Sequence, residues 1–257
     1  MKINWIGCKK KMLPQIIDHM PSKFNTYYEP FLGSGALYFH LKPEKAILND
    51  NDSHLITMWQ QSFQNPQDFV NKVKTTEEFI YHHQDQQDQK LAYKTLLNEY
   101  NKNKLPKLTR SAIFFVINKY AFRGITRYNK QNHLMVGFGY KPKQKMPIID
   151  LKELIKYADN FNKNNHILQC TDFHKVIINS QKGDFLFIDP PYYYDGIKDK
   201  DFYFTPFTFN DHQQLADALH QATNRGVKWL YTNYATDAIC NLFQNSNIIK
   251  IKTTTTP

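Results

Sequence analysis

Apolar positions along the chain fall into short runs that stop at turn residues and longer stripes with helical spacing. Residues 26–31 (TYYEPF) and 45–49 (KAILN) read as short strands, and the stretches 36–41 and 55–63 repeat apolar residues as helices do. Strand, glycine turn, helix, strand predicts the start of a parallel α/β sheet. From about residue 66 to 119 the pattern is helical, with Leu91, Leu96 and Leu97 on one stripe and TRSAIFFVINKY (109–120) forming another. Residues 127–141 (RYNKQNHLMVGFGYK) place turn residues in the middle and alternating apolar residues after them, which predicts a hairpin. Strand patterns resume at 166–170, 184–189, 228–232 and 248–252, with helices near 210–224 and 235–243. The expected architecture is an α/β, Rossmann-like sheet built from residues 1–60 and 160–257, interrupted by a mostly helical, hairpin-containing domain over 61–159.

Composition narrows the class. A chain of 257 residues, 41% hydrophobic, can bury a full core. Its three cysteines, Cys8, Cys170 and Cys240, are odd in number and show no CxxC spacing. That argues against a disulfide framework or a zinc site and for a reducing compartment. No apolar run approaches the roughly 20 residues that span a bilayer, and the first residues lack a signal-peptide core, so a soluble cytoplasmic protein is expected. Charge adds the most. Residues 101–150 carry a surplus equal to that of the whole chain, +10, interleaved with Phe114, Phe115, Tyr120, Phe122, Tyr128, Phe138 and Tyr140. A basic segment this rich in aromatics is a folded surface that meets a polyanion. His82 and His83 lack companions at ligand spacing, so they read as a polar face, and no metal is expected.

Two motifs carry chemistry. EPFLGSGAL (29–37) puts Gly33 and Gly35 where a strand gives way to a helix, so a ligand can approach the backbone. It lacks the third glycine of a dinucleotide site and the lysine of a P-loop. Asp50 ends the next strand, where nucleotide-type folds hold ribose hydroxyls. The second motif, GDFLFIDPPYYYDG (183–196), runs a buried strand into Asp189, Pro190, Pro191 and Tyr192. The prolines stiffen the strand end, so the Pro190 carbonyl can point out of the sheet beside the Asp189 carboxylate. Two acceptors and a flat ring suit the exocyclic amine of a planar base. Accepting both N–H hydrogens aims the nitrogen lone pair at an electrophile, which is catalysis by positioning and electrostatics.

Taken in order, NWIGCKKKMLPQI, YYEPFLGSGALYF, ILNDND, NKYAFRGITRYN, LMVGFGYK, CTDF, FIDPPYYY and FTFNDHQQLADAL resemble the Dam-type DNA adenine-N6 methyltransferases, the D12 class of the alpha group. The resemblance spans about residues 3–245. It implies a methyltransferase sheet that uses S-adenosylmethionine, acts on double-stranded DNA as a monomer in solution, and serves DNA methylation or restriction-modification. By that likeness Trp5, Lys9, Phe31, Gly33, Gly35, Asp50, Asp172, Phe173 and Asp189 hold the cofactor, and Asp189, Pro190, Pro191 and Tyr192 are catalytic. In the basic insert Arg127 falls where the family reads guanine and Phe122 where an aromatic wedges into the base stack; on charge and location Arg123 is an equal candidate for guanine, and only the likeness favours Arg127, with Asn129, Lys130 and Lys141 as further DNA contacts. The adenine must be extruded from the duplex, at a cost of a few kcal/mol.

Two departures qualify the likeness. Gly137 stands where the family usually carries proline, which leaves GATC as an expected rather than a fixed target, and the chain ends KTTTTP where relatives continue with a basic turn and a final strand. The short end predicts an exposed sheet edge and weakened catalysis. Rival expectations are a catalytically impaired DNA-binding relative, or a methyltransferase acting on RNA or on protein glutamine. Those last enzymes usually lack a basic insert of this size.

Overall fold

Five of the short apolar runs lie side by side in a computed structural model that describes residues 3–122, 126–139, 148–194 and 207–251. They are β1 (Tyr27–Glu29), β2 (Ala46–Asn49), β3 (Ile167–Gln169), β4 (Phe185–Ile188) and β5 (Lys228–Tyr231). The sheet order is β3-β2-β1-β4-β5, and every pairing is parallel. Central strands β1 and β4 are buried at every position, which is why they read as unbroken apolar runs, whereas edge strands β3 and β5 are only partly covered.

The chain runs outward from β1 through β2 to β3, then returns to place β4 on the other side of β1. Strand order therefore reverses between β1 and β4, and the crevice beyond their carboxyl ends is where such sheets bind ligands.

Successive residues of a strand face opposite sides, and here they feed two separate cores. Tyr27, Leu48, Phe185 and Phe187 share one cluster with residues of α3 (Ser53–Gln64), α4 (Pro66–Tyr81), α6 (Lys107–Tyr120) and α7 (Leu151–Lys163), among them Trp59, Val70, Phe114 and Leu154. Tyr28, Leu186 and Ile188 join the second cluster with α8 (Phe173–Ile177), α9 (Phe209–Asn224) and α10 (Asp237–Leu242). The remaining helices are α1 (Leu13–Asp18), α2 (Ala36–Leu41) and α5 (Gln86–Asn101). Residues 111–118 of α6 are buried throughout, so this helix is the spine of the basic region rather than part of its surface. The first core thus passes without a break from the sheet into the helices of the 61–159 segment, and α7 runs through the boundary expected at residue 159.

Polar caps fix where helices begin. Asp52 accepts from the amides of His54 and Leu55 at α3, Asp150 from those of Lys152 and Glu153 at α7, and Thr208 with Asp211 forms a capping box at α9. Among the described residues no helix is long and apolar enough to cross a membrane.

The predicted strand at 248–252 is not found. The described part, through Ile251, has no strand partner, and Ile248, Ile249 and Ile251 are exposed. Alternating isoleucines suit a pleated surface, but a strand exists only through its ladder, and β5 is the last paired strand in the described sheet. The hairpin region forms two antiparallel bridges, Ala121↔Phe138 and Tyr128↔Leu134, with Asn132 at φ 59° in its turn.

Candidate functional site

Pro30 ends β1 and the chain turns through Phe31–Leu32–Gly33–Ser34–Gly35 into α2. Gly33 and Gly35 have φ of +47° and +63°. A Cβ on Gly33 would lie 2.7 Å from the Trp5 ring, and one on Gly35 would lie 2.8 Å from the Phe39 ring. Backbone conformation and space both require glycine at these positions.

The carboxylate of Asp50, one residue beyond β2, holds this turn. Its Oδ2 accepts from the Gly33 amide at 2.8 Å and its Oδ1 from the Asp52 amide at 3.0 Å. Burial, with the Asp52 charge beside it, pushes the Asp50 carboxyl up to about 7 against those hydrogen bonds. Asn49 ties the strand ends together. Its Nδ2 donates to the carbonyls of Pro30 (2.9 Å) and Thr171 (3.0 Å), while its Oδ1 accepts from the Thr171 amide at 3.0 Å.

The rings of Phe31 and Phe173 lie 5.3 Å apart, with Phe207 edge-on to Phe31 at 5.7 Å. Asp172 caps α8 through the His174 amide at 2.8 Å, and its side chain remains exposed at the rim.

On the far side of the crevice, β4 delivers Asp189. Its Oδ1 lies 2.6 Å from the Lys9 ammonium and accepts from the Thr232 hydroxyl at 2.6 Å. Lys9 also lies over the Tyr192 ring, 4.4 Å from its centroid, and donates to the Gly7 carbonyl at 2.7 Å. Burial raises the Asp189 carboxyl above its ordinary value, opposed by Lys9, Thr232 and Tyr192. The Tyr192 hydroxyl is likewise raised by burial and by Asp189, so it stays protonated.

Polar residues after β5 position the loop that follows Tyr192. Asn233 Oδ1 accepts from the Tyr193 amide at 3.0 Å, and its Nδ2 donates to the Tyr231 hydroxyl at 2.6 Å. That hydroxyl lies 3.0 Å from His212 Nδ1, and burial holds His212 down to about 4, so the ring beside it is neutral near pH 7. Buried Glu29, pushed up to about 8 mainly by burial, accepts from the Tyr27 hydroxyl at 2.8 Å beneath the same crevice.

Trp5, Lys9, Phe31, Gly33, Asp50, Asp172, Phe173, Asp189, Pro190, Pro191 and Tyr192 line one cleft of about 1240 Å³, large enough for a nucleoside-sized ligand and a planar base together. Gly35 stands behind it, shaping the turn. Thr232, Asn233, Asn49 and Tyr128 also line the cleft, though no motif singled them out for it. For Asn49, Thr232 and Asn233 the only signal is position, since polar residues at or just past the carboxyl end of a strand beside the switch point belong to the crevice, whereas Tyr128 reaches it from the hairpin.

Among the described residues, those expected to contact DNA (Phe122, Arg127, Asn129 and Lys130) do not line the cleft. Phe122 is 58% exposed beside the hairpin, its amide donating to the Gly137 carbonyl at 2.8 Å. Arg127 and Lys130 are exposed, and Asn129 Oδ1 accepts from the amides of Gln131 (3.0 Å) and His133 (2.9 Å), fixing the turn. Asn101 pairs both its side-chain atoms with Leu134 and so clamps the hairpin to α5. The Tyr128 hydroxyl donates to Asp52 Oδ2 at 2.6 Å, joining hairpin and cleft. Arg123 and Lys141 lie outside the described residues. Among the described residues no group of three or more His, Cys, Asp or Glu is arranged to hold a metal.

The model of the D12 class N6 adenine-specific DNA methyltransferase family matches residues 5–256. The type II methyltransferase M1.LlaDCHI of Lactococcus lactis subsp. cremoris is 32% identical, over 98% of this chain and 87% of its own length. The type II methyltransferase M.MjaIII of Methanocaldococcus jannaschii is 28% identical over 97% of this chain and 89% of its own. A DNA adenine methylase of Vibrio cholerae is 24% identical over 97% of this chain and 87% of its own.

Proposed function

Because the chain belongs to the D12 class of N6 adenine-specific DNA methyltransferases, we propose that it transfers a methyl group from S-adenosylmethionine to N6 of an adenine extruded from duplex DNA into the Asp189–Tyr192 pocket. The observation that carries this reading is the placing of Lys9. Its ammonium, 2.6 Å from Asp189 and 4.4 Å from the Tyr192 ring centroid, takes the position that an exocyclic amine stacked on that ring would need. For a base to enter, Lys9 withdraws from Asp189 to the cofactor-binding role that the family likeness gives it, and it leaves Asp189 ready to accept from an N–H donor.

The residues around the glycine turn fit the cofactor. The Gly33 turn has no room for a Cβ, Asp50 offers a buried carboxylate for ribose hydroxyls, and Phe31 with Phe173 gives apolar faces for a purine. Asp172 stands at the edge of that aromatic wall, and Trp5 packs under Gly33. S-adenosylmethionine supplies a methyl group activated on its sulfonium. The chain itself orients the acceptor. Asp189 and the Pro190 carbonyl would accept hydrogen bonds from the two amino hydrogens, one of which leaves as a proton when the methyl joins nitrogen and the cofactor departs as S-adenosylhomocysteine, while Tyr192 stacks on the base and Pro191 keeps the strand end rigid. Thr232 and Asn233 keep the carboxylate and its loop from turning away.

In this reading residues 61–159 form the DNA-recognition part and 1–60 with 160–257 the catalytic part. Arg127 reads a guanine, which contributes about 1–3 kcal/mol of discrimination. Phe122 fills the space the adenine leaves, Arg123 is the second candidate for the guanine, Asn129 is a further DNA contact, and Lys130 and Lys141 contact phosphates, which orients without specifying sequence. GATC is the proposed target and the enzyme acts as a monomer. An RNA or glutamine substrate is not favoured, because the matched relatives are named as DNA adenine methylases and type II methyltransferases.

The target is tested by label transfer from S-adenosylmethionine to a panel of duplexes that carry GATC or a single changed base within it. Incorporation confined to GATC supports the reading, and equal incorporation into every duplex containing adenine refutes the assigned target.

A further inference from the structure

Tyr128 sits between Arg127 and Asn129 on the hairpin, bridged to Leu134, with its ring stacked on His54 at 4.9 Å and 16°. Its hydroxyl donates to Asp52 Oδ2 at 2.6 Å. The Asp52 amide donates to Asp50 Oδ1 at 3.0 Å, and Asp50 Oδ2 accepts from the Gly33 amide at 2.8 Å. An unbroken chain of hydrogen bonds therefore runs from the basic hairpin to the glycine turn. Capping α3 needs only one side-chain oxygen, and Oδ1 of Asp52 does that alone, accepting from His54 (2.9 Å) and Leu55 (3.0 Å). The second oxygen is not required by the helix, and it is the one that holds the hairpin.

We propose that Tyr128 is a positioning residue that couples the two halves of the site, so that DNA on the hairpin and a nucleoside cofactor at Asp50 strengthen each other through Tyr128, Asp52 and Asp50. The proposal rests on the reading of the cleft as a cofactor site and of the hairpin as a DNA surface. Binding linkage is reciprocal, so whatever DNA does for the cofactor, the cofactor does for DNA. A tyrosine that merely anchored the hairpin would change stability or DNA affinity and leave this linkage unchanged.

Tyr128→Phe keeps the ring and its stack and removes the hydroxyl, whereas Asp52→Ser keeps one capping oxygen and cannot serve the hairpin as well. S-adenosylhomocysteine is titrated calorimetrically into each protein, alone and saturated with a duplex, and the duplex is titrated separately without cofactor. The wild-type protein is expected to bind S-adenosylhomocysteine about fivefold or more tightly on DNA than off it. Either variant brings that ratio close to one, and the double variant loses no more than each single one. A variant that keeps the wild-type ratio, even with both affinities lowered together, overturns the proposal, as does a wild-type ratio of one. Should Tyr128→Phe fail to fold, the Asp52→Ser ratio decides by itself. A wild-type protein that binds no duplex, or no S-adenosylhomocysteine, instead refutes the functional reading beneath the proposal.

Discussion

Asp189 is held by a cation and a hydroxyl on the same oxygen, and the two partners have different fates. In the proposed reading Lys9 leaves when a base arrives, while Thr232 stays and keeps the carboxylate aimed. A hydrogen bond to a charged group contributes about 1.5–3 kcal/mol. Thr232→Val, nearly the same shape without the donor, is therefore expected to lower kcat about tenfold or more with little change in S-adenosylhomocysteine affinity, measured by steady-state kinetics and calorimetry.

Glu29 makes a pH prediction. Burial favours its protonated form, so between its ordinary value of about 4 and its folded value of about 8 the folded chain holds a proton that the unfolded chain has released. The stability this proton contributes is full below that window and is lost as pH rises through it. Asp50 and Glu77, raised by burial to about 7, act in the same direction. The melting temperature should fall between about pH 5 and pH 8, and Glu29→Gln, which keeps a partner for Tyr27, should flatten the decline. An unchanged slope would remove Glu29 from this account.

Among the elements, the β1–α2 turn is the one that tolerates least. Gly33→Ala combines a left-handed backbone with a collision against Trp5, and the backbone strain alone costs about 1–2 kcal/mol. Its expected effect is a loss of about tenfold in S-adenosylhomocysteine affinity, read by calorimetry while duplex binding persists.

This turn was legible in the sequence because Gly33, Gly35 and Asp50 punctuate it. The strands were legible because buried parallel strands are continuous apolar runs between turns. Helix α8 is not, being only five residues long, and α7 is absent from the expected elements although Asp150 marks its start. The 248–252 stretch misled through propensity, since its isoleucines describe a strand that the described sheet does not pair. The DPPY side of the site was readable from one tetrapeptide. Its supports were not, because Thr232, Asn233 and His212 reach it from β5 and α9, and only the topology brings them there.

Over the whole molecule, charge and chemistry are divided. The cleft opens at the carboxyl ends of the strands, and the +10 surplus lies in residues 101–150, whose hairpin joins the cleft through Tyr128 and Asp52. Two substitutions separate orientation from sequence reading. Lys130→Gln should weaken binding evenly across duplexes and lower the slope of log Kd against log salt by about one. Arg127→Gln should instead relax the choice of sequence, with a loss of about 1–3 kcal/mol confined to the preferred site. Filter binding over a salt series on matched and mismatched duplexes distinguishes them, and identical behaviour of the two variants would count against the assigned roles.

The central claim is that the Asp189–Tyr192 pocket methylates adenine N6 in DNA. It is tested most directly by incubating a duplex with methyl-labelled S-adenosylmethionine, digesting it to nucleosides and identifying the labelled product by mass spectrometry, for the wild-type chain and for Asp189→Ala. The account predicts labelled N6-methyldeoxyadenosine from the wild type and none from the variant. Label on another base, or undiminished N6 labelling by Asp189→Ala, would contradict it.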